Sequence, residues 1–342
     1  NIDYEIEIVA KDIDIPWGMD FINNNEILVT EKSGVLYKIT NGKKIKIDGV
    51  PESYLRGQGG LLDVAIHPNY SKNNLIYLSM SSQLGEGNGG NTAIYVAKLN
   101  ENSLTNIKLL YKAEPNTKKG QHWGSRIVFD NKGHLFFSIG DRGNRDVNPQ
   151  NINLDGGKIY RLNLDGSIPK DNPFVNKDGA KSAIYSYGHR NPQGLFFHPE
   201  TGVLWEHEHG PRGGDEINLP QIGKNYGWPL ITYGINYIGT SITDKTEAPG
   251  LEQPIYYWIP SIAPSGMTFL TSDKFPKWKN NLFVGSLVFQ YLERIVLKNN
   301  KVIYREKMLD GIGRVRNVKQ GPDGYLYLGV EGKGIIKIIP KK

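Results

Sequence analysis

Residues 125–139 read SRIVFDNKGHLFFSI, and this stretch is the unit that repeats along the chain. An apolar run ends at Phe129, a polar turn containing Asn131 and Gly133 follows, and a second apolar run ends at Ile139. Two short runs rich in aromatic and β-branched residues, joined by a turn of this composition, predict an antiparallel β-hairpin. The rest of the chain can be compared with this hairpin.

The same pattern occurs six times, at spacings of roughly 45 to 70 residues, and helical periodicity is almost absent. The other five copies fall at residues 18–29, 62–78, 194–205, 266–284 and 315–328. A hairpin repeated at this spacing is typical of propeller blades, which contain about four strands each. A β-sandwich would not explain six copies of one hairpin.

Additional apolar runs supply the outer strands that such blades need. Residues 35–39 and 158–162 follow the first and third hairpins at the right distance. Residues 4–9 precede the first hairpin and would form an outer strand of the last blade, which closes the ring. We therefore predict an all-β fold, a six-bladed β-propeller with four-stranded antiparallel blades, in a single domain over residues 1–342.

Composition narrows the class of partner. The 342 residues carry a formal net charge of +6, from 41 basic and 35 acidic side chains scattered along the chain. Nucleic-acid binding needs a concentrated basic stripe, so we predict no nucleic-acid partner. The absence of cysteine excludes disulfides and thiolate metal sites. No apolar run approaches the ~20 residues of a membrane span, so we expect no membrane span, and we expect no signal peptide at Asn1.

A histidine and an aspartate flank the third hairpin. His122 precedes its first strand and Asp141 follows its second, so a turn centred near residues 131 and 132 brings the two opposite each other. A carboxylate beside an imidazole fixes the tautomer and strengthens the ring as a base. Such a pair at a strand end is also a common structural contact, and the pattern alone leaves both interpretations open.

Two arginines, Arg314 and Arg316, are spaced for one strand face. Residues i and i+2 of a strand point the same way, so the two guanidinium groups can clamp one carboxylate or phosphate. On spacing alone, a solvated strand face is the alternative.

A Gly-Pro turn at Gly210 and Pro211 follows the alternating glutamates and histidines of residues 206–209. The alternation invites a zinc interpretation, but alternate residues point to opposite faces, and the glutamates crowd a closed zinc site. Carbonyl oxygens at the turn, beside Asp215 and Glu216, suit a hard cation such as calcium. An ordinary turn is the other interpretation.

Taken in order, the polar motifs resemble those of the soluble PQQ-dependent aldose and glucose dehydrogenases, the glucose/sorbosone dehydrogenase family, whose members are six-bladed propellers. The similarity covers nearly the whole chain. It consists of PWGM at 16–19, GQGGLLD at 57–63, the segments around His122 and Asp141, GHRNPQG at 188–194, EHGP at 208–211, DEIN at 215–218, NYGWP at 225–229, APSG at 263–266 and RVR at 314–316.

The resemblance implies oxidation of an aldose sugar at its anomeric carbon to the lactone, with pyrroloquinoline quinone (PQQ) and Ca²⁺ as cofactors and a further, unidentified electron acceptor. His122 would take the proton of the anomeric hydroxyl as hydride passes to the quinone, and Asp141 would orient His122. Arg190 would stabilise negative charge at the quinone oxygen. Family members usually work outside the cytoplasm, so we expect an extracytoplasmic location.

The resemblance also assigns binding roles. The calcium ligands would be the backbone carbonyls of Gly210 and Pro211, with Asp215 behind them. Gln58 would lie near the sugar hydroxyls. The residues expected to hold PQQ, besides this turn, are Arg190, Asn191, Arg314 and Arg316.

The chain departs from the family pattern at two positions. Many relatives carry a lysine that reaches the cofactor soon after the strand matching residues 282–287, where this chain has Val288, Phe289 and Gln290. Gln121 stands where some relatives have an acidic residue.

Two other functions remain as alternatives: a calcium-dependent propeller lactonase or other hydrolase, and a non-catalytic binding propeller. A hydrolase of this kind holds its ion with carboxylates and amides that line the channel. It would leave Arg190 and the Arg314–Arg316 pair without a role.

Overall fold

Strands account for nearly all regular structure in the computed structural model, which describes residues 3–341. The two short helices in this part of the chain are α1 (Tyr70–Asn73) and a 3₁₀ turn at Pro276–Trp278. The strands in chain order are β1 (Tyr4–Ala10), β2 (Pro16–Asn23), β3 (Glu26–Glu31), β4 (Val35–Thr40), β5 (Lys43–Lys46), β6 (Leu61–Ile66), β7 (Leu75–Ser82), β8 (Asn91–Asn100), β9 (Ser103–Lys112), β10 (Ile127–Phe129), β11 (His134–Ile139), β12 (Lys158–Asn163), β13 (Ile184–Tyr187), β14 (Pro192–Phe197), β15 (Leu204–Glu208), β16 (Asp215–Asn218), β17 (Tyr256–Trp258), β18 (Pro264–Phe269), β19 (Leu282–Ser286), β20 (Leu292–Lys298), β21 (Lys301–Met308), β22 (Val315–Gln320), β23 (Leu326–Val330) and β24 (Gly334–Pro340).

These strands form six four-stranded antiparallel sheets, the blades of a propeller. Blade one contains β2 to β5, and each following blade takes the next four strands, up to β21 in blade five. Blade six contains β22, β23 and β24, with β1 as its outermost strand, so the N-terminal strand closes the ring. The predicted fold class, the four-stranded blades and the closing strand are confirmed.

The core lies between the blades. Successive side chains of a strand point to opposite faces of its sheet, so a strand packed between two blades needs apolar residues on both faces. In β3, Leu28 packs in a cluster with residues of blade two, whereas Ile27 and Val29 pack in a cluster with residues of blade six. This two-sided burial explains why the inner strands read as continuous apolar runs.

A buried arginine links four blades near the channel axis. The Arg126 guanidinium donates to the carbonyl oxygen of Gln193 (3.0 Å) and to the Asp63 carboxylate (3.3 Å). It also stacks on Trp17, with its central carbon 4.2 Å from the ring centroid. Burial raises the pKa of Asp63, and the charge of Arg126 opposes that rise. Removing one partner of such a pair leaves an uncompensated buried charge, which costs about 3–5 kcal/mol.

Three long inserts, at residues 83–92, 141–157 and 207–250, meet at one mouth of the channel. Insert 141–157 and insert 207–250 both contribute to the wall of one cavity there. Arg142 reaches from the first of these inserts to the carbonyl oxygen of Gly90, which lies in insert 83–92 (3.4 Å). Across residues 3–341, no helix combines the length and the apolar character that crossing a bilayer requires.

Candidate active site

His122 and Asp141 form a hydrogen-bonded pair at this mouth. His122 Nδ1 lies 2.6 Å from Asp141 Oδ1. In the third hairpin Ile127 lies opposite Phe137, and extending that register places residue 141 opposite residue 123, one residue from His122. The predicted proximity of the two side chains is therefore confirmed, with the strand register one residue away from direct pairing.

Glycine and an unusual backbone conformation let the two strand ends come close. His122 adopts the left-handed conformation, with φ of 58°. A Cβ atom on Gly140 would lie 2.4 Å from the His122 carbonyl oxygen, so a larger residue there would push the His122 segment away. The His122 backbone N–H donates to Gln58 Oε1 (2.8 Å), which ties this segment to blade two.

Asp141 is buried and receives three hydrogen bonds. Besides His122, the Trp228 indole N–H donates to Oδ2 (2.9 Å), and the Gly143 backbone N–H donates to Oδ1 (2.7 Å). Burial alone would raise the pKa of Asp141, but the hydrogen bonds from His122 and Trp228 and the positive charge of Arg190 help to outweigh it, so the pKa is lowered. The carboxylate is therefore ionised at neutral pH and holds His122 with a proton on Nδ1.

The electrostatics leave His122 neutral and basic at its other nitrogen. Burial lowers the pKa of His122, and the positive charge of Arg190 acts in the same direction. Asp141 opposes both effects. Because Nδ1 is committed to Asp141, Nε2 is the nitrogen available as a base toward the cavity that His122 lines.

Arg190 lies in the wall of the same cavity, which has a volume of about 520 Å³. Its guanidinium donates to the carbonyl oxygens of His209 (2.9 Å) and Gly210 (2.7 Å) and lies over the Trp228 ring. The other predicted residues in this wall are Gln58, His122, Asp141 and Pro211. The structure thus brings the predicted catalytic group together with the Gly-Pro turn.

Asp215 lies behind the turn and lines neither this cavity nor the one described next. It accepts hydrogen bonds from the backbone N–H groups of Gly210 (2.7 Å) and Ile262 (2.7 Å) and from the Ser261 hydroxyl (2.8 Å). Burial raises the pKa of Asp215 to about 6 despite these bonds. A Cβ on Gly210 would lie 2.3 Å from the Gly213 carbonyl oxygen, so the turn requires glycine at this position.

A second cavity, of about 370 Å³, adjoins the first, and Gln58 and Tyr237 line both. The predicted cofactor residues Asn191, Arg314 and Arg316 line its wall. The Asn191 side-chain oxygen accepts from the backbone N–H of Gly124 (3.2 Å) and is therefore fixed in orientation.

Arg314 and Arg316 do reach one carboxylate, and that carboxylate belongs to the protein. Arg314 Nε donates to Glu331 Oε2 (2.9 Å), and Arg316 Nε donates to Glu331 Oε1 (3.1 Å). The sequence analysis missed Glu331, although a signal was present. Val315 lies opposite Val330, so the hairpin register that places the arginines also places residue 331 opposite residue 314.

Glutamates and histidines alternate along β15 as expected, and the two types face opposite ways. His207 Nε2 lies 3.0 Å from the Gly266 carbonyl oxygen, and His209 Nε2 lies 2.8 Å from that of Pro264. Both histidines therefore form hydrogen bonds to backbone carbonyl groups of blade five.

On the other face, Glu206 and Glu208 meet His189, with ligand-type atoms within 4.8 Å of one another. Glu208 accepts from the backbone N–H groups of Arg190 and Asn191. Burial and the charge of Glu208 raise the pKa of Glu206 well above its usual range. This acidic cluster lies behind the cavity wall and fixes the backbone of two wall residues.

The glucose/sorbosone dehydrogenase family profile matches residues 13–337. The chain belongs to this family. It is 42% identical over 346 residues to aldose sugar dehydrogenase YliI of Escherichia coli, covering 98% of this chain and 93% of that relative. It is 33% identical over 257 residues to quinoprotein glucose dehydrogenase B of Acinetobacter calcoaceticus, covering 67% of this chain and 53% of that protein.

Solved structures of the glucose/sorbosone dehydrogenase family agree with this assignment. The apo form of the soluble aldose sugar dehydrogenase from Escherichia coli superposes with a TM-score of 0.95 at 39% identity, over 99% of this chain and 100% of that one. The PQQ-bound form of the aldose sugar dehydrogenase from Streptomyces coelicolor gives a TM-score of 0.80 at 25% identity, over 100% and 99% of the two chains. The prediction of a sugar-oxidising oxidoreductase is confirmed at the level of the family.

Proposed function

We propose that this dehydrogenase oxidises aldose sugars at the anomeric carbon to lactones, with PQQ held on calcium and His122 as the general base. One observation carries the proposal. His122, paired with the buried Asp141, presents its free nitrogen to a cavity whose wall includes Arg190, and that cavity adjoins a second one rich in cations.

The donor set of the second cavity fits PQQ, a planar ligand with three carboxylates. Lys32, Arg314 and Arg316 line it, and Glu331 is the one acidic side chain in the wall. Arginine forks bind carboxylates in two-pronged fashion, so Arg314 and Arg316 would hold the cofactor together with Asn191. A solved relative contains PQQ, which supports the same cofactor here.

The Gly210–Pro211 turn fits calcium. Calcium prefers oxygen ligands, and backbone carbonyls are common among them. Asp215 fixes the Gly210 backbone, and the Gly210 carbonyl oxygen has a second lone pair besides the one facing Arg190. When bound, PQQ supplies the hydride acceptor and calcium a Lewis acid.

In the proposed reaction, His122 Nε2 removes the proton of the anomeric hydroxyl. Asp141 keeps the opposite nitrogen protonated and stabilises the imidazolium that results. Arg190, across the same cavity, stabilises the negative charge that develops as the sugar is oxidised. The Gln58 side-chain oxygen accepts a hydrogen bond from the His122 backbone N–H. Its amide NH₂ group can therefore donate to a sugar hydroxyl.

A propeller hydrolase would need carboxylates free to hold an ion in the channel. Of the carboxylates that line the two cavities, Asp141 is bonded to His122 and Trp228, Glu331 is bonded to the two arginines, and Asp146 pairs with Arg145 (3.5 Å). These commitments favour the dehydrogenase. We also propose an extracytoplasmic location, on the strength of the family resemblance.

The deciding experiment reconstitutes purified apoprotein with PQQ and calcium and measures dye reduction with a panel of aldoses. Omission of PQQ serves as the control, and lactone hydrolysis is measured on the same samples. We expect PQQ-dependent dye reduction and no hydrolysis. Hydrolysis of lactones with calcium alone, without any PQQ-dependent oxidation, would refute the proposed reaction.

A further inference from the structure

Lys32 is a cation in the second cavity to which the sequence analysis gave no role. It follows directly after β3, on blade one, and lines the same wall as Val288, Arg314 and Arg316. Over residues 3–341, its ammonium group makes no hydrogen bond or salt bridge, whereas Arg314 and Arg316 both bond to Glu331. Lys32 is thus the unpaired charge of this cavity.

The wall carries an excess of positive charge. The wall contains three cations and one carboxylate. Burial lowers the pKa of Lys32, and the charge of Arg316 acts in the same direction. Glu331 and Asp14 oppose this effect without cancelling it. An anionic group bound between Lys32 and Arg316 would relieve the repulsion, so the cavity favours a ligand with several carboxylates.

The backbone of Lys32 is fixed from both sides. Its N–H donates to the Ile15 carbonyl oxygen (3.1 Å), and its carbonyl oxygen accepts from the Leu61 N–H (3.2 Å). A Cβ on Gly60 would lie 1.9 Å from the Lys32 carbonyl oxygen, so glycine is required for this close contact. The Lys32 side chain therefore joins the cavity wall from an anchored backbone.

We propose that Lys32 binds a carboxylate of PQQ and so provides, from blade one, the cationic contact that many relatives take from a lysine after the strand corresponding to β19. In this chain that segment reads Val288, Phe289 and Gln290, and Val288 lines the same cavity as Lys32. The inference rests on the proposed function, because it concerns the same cofactor.

The test titrates PQQ, with calcium present, into apoprotein and follows the heat of binding or the quenching of tryptophan fluorescence. A charged hydrogen bond contributes about 1.5–3 kcal/mol, so Lys32→Met should weaken PQQ binding about 10- to 100-fold. Lys32→Arg should restore most of the affinity. Lys46→Met is the matched control, since it removes the same charge from an exposed position on β5 of the same blade.

Thermal unfolding of the apoproteins separates binding from folding. Because Lys32 has like-charged neighbours and no partner, Lys32→Met should leave the apoprotein Tm unchanged or raised. A lower Tm with wild-type PQQ affinity would show a structural lysine and would overturn the inference. Wild-type affinity in a stable Lys32→Met protein would overturn it equally, while leaving the proposed function intact. If the wild-type apoprotein binds no PQQ, the proposed function and this inference fail together.

Discussion

The substitution Asp141→Asn tests the proposed base most sharply, because the pair is a single 2.6 Å contact in a buried setting. The hydrogen bond and charge of Asp141 raise the pKa of His122 against the effect of burial. Their loss should lower that pKa, so the acidic limb of the rate profile should move to lower pH. A charge-assisted bond of about 1.5–3 kcal/mol corresponds to a fall in maximal rate of about 10- to 100-fold.

The assay is steady-state dye reduction by reconstituted enzyme between about pH 5 and 9, with His122→Ala and wild type in parallel. His122→Ala should retain PQQ and lose about 10²–10⁴-fold in turnover, which is the usual size of a lost general base. Its pH profile should lose the acidic limb that His122 produces. An Asp141→Asn enzyme whose acidic limb stays in place, or a His122→Ala enzyme with near-normal turnover and bound PQQ, would refute the assignment.

Three further predictions concern the cofactors and a buried lysine at the start of β12. Changing Arg314 and Arg316 together to Ala should weaken PQQ binding in a titration while the far-UV circular dichroism spectrum is retained; unchanged affinity would contradict the clamp. Complete removal of calcium should abolish dye reduction, and full activity without any divalent ion would disprove the metal assignment. Burial lowers the pKa of Lys158 from 10.5 to about 7. Between about pH 7 and 10.5 this lysine therefore binds a proton in the unfolded chain but not in the folded one. The free energy of unfolding should rise with pH over this range because of this group. Urea unfolding at pH 7 and 9.5 should show that rise in wild type and a smaller one in Lys158→Met; equal rises would argue against a neutral buried lysine.

The fold was predictable because its signal is local and repeated. Each hairpin is encoded by a contiguous segment of about twenty residues or fewer, such as residues 125–139. The six copies of this hairpin predict six blades. The closing strand was predictable by elimination, since residues 4–9 had no hairpin of their own. The four-blade contacts of Arg126 were not predictable, because they depend on how the ring closes.

The same distinction separates the predictable and unpredictable parts of the site. The proximity of His122 and Asp141 follows from one hairpin, and so does the position of Glu331 opposite Arg314. Contacts between blades cannot be predicted in this way, because they do not follow from the strand pairing within one hairpin. The hydrogen bond from Trp228 to Asp141 joins segments 87 residues apart. Arg190 was assigned to this site from the family resemblance alone.

The contacts between blades also explain why the proposed cofactor cavity is electrostatically unfavourable without a ligand. Within blade six, Arg314 and Arg316 share Glu331, which leaves one net positive charge in the wall. Blade one adds Lys32 to the same cavity and so increases this excess. Packing of blade one against blade six therefore increases the repulsion and completes the cavity, and an anionic ligand that lowers the repulsion stabilises the closed ring by mass action. On this argument, affinity for a multiply charged cofactor and stability of the propeller depend on the same few side chains.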